Sequence, residues 1–199
     1  MTRVRTYCLI CAAIVGLLAV GCQLRRPNTV QIRMIEPQLI NPQTGDPEKQ
    51  LTKAPSAIPI RLLDTQARGH IGRRVLHQLA NGELTEDPIW QWSSFPSQYL
   101  DTALRQEVES NPNLRLVDSA SAPAVSATLL VWDLESQGET RLVGAVEFQV
   151  TGTDRAIHSK VVRGSEIVAG EMPGDLAAVA GRLLRHLASE GLSNITNQR

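Results

Sequence analysis

The chain reads as an α+β domain, a mostly antiparallel sheet with two amphipathic helices packed on one face. Three observations predict this. Leu100, Ala103, Leu104 and Val108 recur at spacings of three and four, which makes one apolar stripe of a helix. Leu176, Val179, Ala180, Leu183, Leu184 and Leu187 repeat that pattern near the C-terminus. Between them apolar and polar residues alternate, which is the period of a strand. No helical stripe separates those strands, so turns join them and both helices are left for one face.

The N-terminus has a different character. Arg3 and Arg5 precede an apolar run from Tyr7 to Val20. The run is shorter than the roughly 20 apolar residues that span a bilayer as a helix. It ends in Leu18-Ala19-Val20-Gly21-Cys22. Small residues before a cysteine resemble the lipobox of bacterial lipoproteins. There the thiol takes a diacylglyceryl group and the preceding signal is cut away. Ala19 stands where that motif commonly has Leu. Residues 1–21 are therefore expected to be a signal peptide and Cys22 a lipid attachment site. Cys8 and Cys11 lie inside the signal, so their CxxC spacing is no zinc or redox motif. The mature chain keeps Cys22 alone, which leaves no internal disulfide and no cysteine-built metal site. Basic and acidic residues number 20 each, and losing Arg3 and Arg5 leaves a net charge of −2. Nothing in that balance favours nucleic acid.

Residues 22–57 read as a tether, punctuated by Pro27, Pro37, Pro42, Pro47 and Pro55. Val30, Ile32 and Met34 alternate within it, which suggests a short strand near 30–36 that could join the sheet. A single domain follows over residues 58–195, with 196–199 as a tail. Ile58, Ile60 and Leu62 alternate as a strand. An extended stretch from His70 to Leu79 leads through the turn Asn81-Gly82 to Trp90 and Trp92. Ser93 or Ser94 can cap the first helix, and Pro96 suits its first turn because its missing N–H is not needed there. Pro112 should end that helix near Ser110. Leu114, Leu116 and Val117 suggest another strand. Val125, Ala127, Leu129 and Val131 then alternate with Ser126, Thr128, Leu130 and Trp132. Leu142, Val146, Phe148 and Val150 do the same, with turns expected at Gly138 and Gly152. Residues Ala156 to Val168 are more polar, as a strand at an edge or with a solvated face would be. Pro173, Gly174 and Asp175 start the last helix, and Gly191 is expected to stop it.

No catalytic motif appears. There is no G-x-S-x-G elbow, no H-E-x-x-H and no phosphate-cradling loop. The expectation is no catalytic residue, no cofactor and no metal. His70 and His77 are seven apart in an extended stretch, so they should face opposite sides. His186 falls late in the last helix, where a cation suits the dipole. Asp133 and Glu135 share a strand face and could form a carboxylate pair, although solvation at a strand end is the preferred account of them. Asn194-Ile195-Thr196 is a glycosylation sequon. The most distinctive cluster is Trp90, Trp92, Phe95, Pro96 and Tyr99, in a chain that is 4% aromatic. It reads as a core plug or as an exposed patch for a protein or lipid partner.

Three stretches carry a family resemblance: His70-Ile71-Gly72-Arg73-Arg74-Val75-Leu76-His77, then Gly82-Glu83-Leu84, then Trp92 to Leu100. Together with the lipobox, the early strand and the final amphipathic helix, they resemble the ABC-type transport auxiliary lipoproteins, which include the paraquat-inducible protein C group. The resemblance covers most of residues 30 to 195. It implies a non-enzymatic lipoprotein of an envelope lipid transport system, on the periplasmic side. Implied partners are an MCE-domain protein and an ABC transporter permease and ATPase, with self-association left open. Gln23 after the cysteine, rather than Asp, points to the outer membrane. Trp92 and Pro96 match the Trp and Pro of the family pattern. The same tether-plus-domain layout also suits a lipoprotein regulator of peptidoglycan synthesis or lipopolysaccharide export.

Overall fold

In the computed structural model the described residues are 30–39, 56–152, 156–170 and 173–197. Cys22 and the expected signal lie outside them. By its contacts the chain divides at Gln31/Ile32, and Ile32–Arg199 is one unit. Of the first unit only Val30 and Gln31 are described, and both are exposed.

The sheet is organised by one long strand, β7 (Ala124–Gln137). One edge of β7 carries β8 (Glu139–Thr151), and β9 (Ile157–Ile167) lies beyond it; both ladders are antiparallel. Three short strands tile the other edge in sequence order: β2 (Ile58–Leu62), β3 (Gln66–Ala67) and β4 (Arg74–Gln78). Each runs parallel to β7 over a two-residue register. β5 (Leu84–Trp92) forms a hairpin with β4. Its turn holds Gly82 at φ 83, a conformation that favours glycine. β1 (Arg33–Ile35) adds outside β5, and β6 (Leu114–Leu116) beside β2, both in parallel. The long ladders are thus antiparallel, and the parallel pairings are short.

Helix α1 (Pro96–Ser110) buries Pro96, Tyr99, Leu100, Ala103, Leu104 and Val108, which is the expected stripe. Its N-cap is Phe95, with no side-chain cap bond. The expected serine cap does not form; Ser93 is engaged with Glu36 and Tyr99 instead. Helix α2 (Gly174–Asn197) runs past Gly191 rather than ending there. Gly191 is buried against the ring of Phe148, and a methyl in its place would overlap that ring. The residue serves a close approach, not a stop. His186 therefore sits in mid-helix, beside Gly164 of β9, and not at a helix terminus.

α1 packs against α2, β6 and β7, and α2 against β8 and β9, so both helices cover one face. The core between them holds Leu100, Leu104, Leu129, Trp132, Leu142, Val146, Phe148, Leu183, Leu184 and Leu187. Fully burying one such side chain contributes about 1.5–3 kcal/mol. The alternation expected along β7 breaks once. Its register with β8 shifts between Leu129 and Val131. Val125, Ala127 and Leu129 face the helices before the irregularity, and Trp132 and Leu134 after it. Val131 is therefore turned away from the core and Trp132 into it, the reverse of the simple alternation.

Candidate functional site

Two places gather the chemistry that the sequence marks. The first is the junction where β5 passes into α1. Pro88 cannot donate to a ladder, and β5 is irregular around it: Arg74 pairs with Gln91 while Leu76 pairs with Glu86. The freed groups are satisfied locally. The Asp87 carboxylate accepts the N–H of Ile89 and of Trp90 at 2.8 Å each, and pairs with His77 Nε2 at 2.8 Å. Burial pushes the Asp87 carboxyl up, but those amides and His77 outweigh it and hold it below the usual carboxylate value. The Arg74 guanidinium donates to the carbonyls of Asp87 and Pro88, both at 3.2 Å. His77 of β4 is thus a side-chain partner of Asp87 on β5, while its ladder partner is Thr85. His70 lies before β4, in the connection from β3, so the two histidines do not share a strand.

The aromatic cluster divides at this junction. Trp92 is buried at 1% exposure, its ring tilted against Trp132 with centroids 5.8 Å apart. Both indole N–H groups are buried without a partner. Pro96 and Tyr99 are buried with α1. Phe95 is 49% exposed, and Trp90 is half-buried under the Arg33 guanidinium, 5.5 Å from its ring centre. The cluster is therefore core plug and surface at once. The Tyr99 hydroxyl ties the N-terminal segment into the plug. It meets Ser93, accepts the Ser94 N–H at 2.7 Å and donates to Glu36 at 3.0 Å. Burial raises its pKa, the bonds from Ser93 and Ser94 oppose this, and Glu36 adds to it; the net shift is upward. Arg73 donates to the carbonyls of Trp92, at 3.2 Å, and Ser93, at 2.8 Å. The Ser93 N–H donates to Ile35 O at 2.9 Å. Beyond β1 the chain crosses α2, where the Gln38 N–H donates to Ala177 O at 2.9 Å.

The second place is on the face of the sheet that carries no helix. A groove of about 330 Å³ opens there. Asp133 lies in it at 5% exposure, opposite Val143 of β8, with Glu135 two residues further along the same face. β7 continues to Gln137, so Asp133 is not a solvated strand end. Burial raises its carboxyl above the usual value; a bond from the Trp132 backbone opposes this, Glu135 adds to it, and His70 opposes it. Leu84, Leu130, Val131 and Val143 supply apolar wall, and Arg68 and Arg163 are exposed at the margin. No motif marks this groove in the sequence. The one signal was the i, i+2 spacing of the two carboxylates. Among the described residues no group of His, Cys, Asp or Glu is placed to hold a metal, and no helix is long and apolar enough to cross a membrane.

Taken together these features define an open mixed sheet with two helices on one face. That fold occurs in solved structures. A Xanthomonas campestris protein of the DUF330 family superposes with a TM-score of 0.65 at 13% identity, over 83% of this chain and 97% of that one. A hypothetical protein from Chlamydia trachomatis superposes with a TM-score of 0.53 at 9% identity, over 70% and 95%. At these identities the likeness is one of fold. No protein-family model matches the sequence, and no curated protein matches it.

Proposed function

We propose that this chain is a lipid-anchored envelope protein, attached through Cys22 and facing the periplasm. In this reading it is a non-enzymatic auxiliary subunit of an ABC/MCE-type lipid transport system, at the outer membrane. The observation that carries the reading is the convergence of the stretches that resemble the auxiliary lipoproteins. Arg73 of the first stretch and Trp92, Ser93 and Tyr99 of the third meet at one junction, closed by Glu36 of the N-terminal segment. The shared fold with a DUF330 protein is compatible with it. Phe95 and Trp90 leave apolar surface beside that junction for a protein partner.

Cys22→Ala is expected to move the protein from the membrane fraction to the soluble fraction. Capture of the native chain from detergent extracts is expected to recover an MCE-domain protein with its permease and ATPase. Recovery of cell-wall synthases or lipopolysaccharide-export proteins alone would replace this reading with the assembly-factor alternative.

A further inference from the structure

A sheet face with no helix over it ordinarily turns polar side chains to water. The groove around Asp133 departs from that. Its volume, about 330 Å³, falls in the range of small-ligand sites. Asp133 is a charged group with 5% exposure. Its hydrogen bond comes from the Trp132 backbone, and no side chain among the described residues donates to it. A buried carboxylate with one backbone donor and no cationic side chain bonded to it costs stability, so the fold carries a group that invites a cation. Glu135 reinforces it from the same strand face.

The margins carry the opposite sign. Arg68 comes from the β3–β4 connection and Arg163 from β9, on opposite sides of β7. Both are exposed, and neither forms an ion pair with a described residue. Hydrocarbon lies between them: Leu130 and Val131 of β7 and Val143 of β8.

We propose that this groove binds the head group of a zwitterionic amphiphile, with a primary ammonium on Asp133 and Glu135, a phosphate on Arg68 and Arg163, and the adjoining hydrocarbon along Leu130 and Val131. A purely anionic head group brings no cation to the carboxylates. A quaternary ammonium has no N–H to donate to them. The ligand class is therefore a phospholipid with a primary amine. The proposal deepens the envelope lipid reading and rests on it for the source of the ligand.

Calorimetric titration of the full chain in a non-ionic detergent tests it. The probes are dihexanoyl phosphatidylethanolamine, dihexanoyl phosphatidylglycerol and free O-phosphoethanolamine. Saturable binding of the first is expected, at least about tenfold tighter than either of the others. Asp133→Asn and Arg163→Gln are each expected to weaken it by about tenfold. Arg163 is exposed, so its variant keeps the test decisive if Asp133→Asn fails to fold. Equal affinity for the phosphatidylglycerol probe, or unchanged binding in the folded variants, overturns the proposal. Binding of free O-phosphoethanolamine as tight as the lipid overturns it too, because the hydrocarbon would then contribute nothing. Head-group binding without capture of an MCE protein leaves this site standing and removes the transport reading. Capture without head-group binding does the reverse.

Discussion

Asp133 is the buried charged side chain among the described residues. In an unfolded chain its carboxyl titrates near 3.9, the usual value for Asp. In the fold burial raises it. The folded state therefore keeps the proton longer than the unfolded state does. Stability is full below the unfolded value and is lost as pH rises through the folded one. Asp133→Asn removes that loss. The variant is expected to melt higher than the native chain at pH 7, and the two melting curves should converge below about pH 4. Calorimetric melts across pH check this, and a lower melting temperature for the variant at pH 7 would mean that the carboxylate is paired in solution. Asp87 shows the opposite shift ten residues after His77, so the sign at each carboxylate follows from its donors and not from its residue type. A site that costs stability while presenting charge to a groove is where binding is commonly found.

Among the elements, those with long periodic patterns were legible in advance. Both helical stripes and the β7 and β8 runs are where their periods place them, because burial on one face imposes a period, and β9 falls in the more polar run expected as a strand. The failures share a cause: each depends on a contact distant in sequence. The shift at Leu129/Val131 reverses which residues of β7 face the core, and nothing local announces it. Gly191 looks like a helix stop until Phe148, on another strand, is seen to occupy its missing side chain. The strand at Ile58–Leu62 and the extended stretch around β4 were expected, but the two-residue β3 is too short for a period, and the parallel pairing of all three is defined by β7. The groove escaped for the same reason, since Arg68, Asp133 and Arg163 lie on three separate segments. The crossing of the N-terminal segment over α2 belongs here too. Gly181 is buried directly under the Gln38 carbonyl, which a methyl group would overlap. Gly181→Ala is expected to destabilise by about 1–3 kcal/mol or to lift that crossing off the helix. Hydrogen exchange at Gln38, whose amide bonds to Ala177, separates these outcomes from a tolerated substitution.

For the molecule as a whole, the docking of β1 and Gln38 fixes where the domain begins. The chain is committed to the sheet from Arg33 onward, and ten peptide units separate Cys22 from Ile32. Fully extended, they reach no further than about 35 Å. Residues 40–55 follow β1 in the chain, so they add nothing to that reach. If Cys22 carries lipid, the domain has a maximum altitude above the bilayer, set by a handful of residues instead of the whole proline-rich stretch. Ten Gly/Ser residues inserted before Val30 should increase the distance between a dye on Ser189, exposed on α2, and an acceptor in the lipid. The same insertion after Ile40 should leave that distance unchanged. If Cys22 carries lipid, that limit belongs to the residues before β1 and not to those after it.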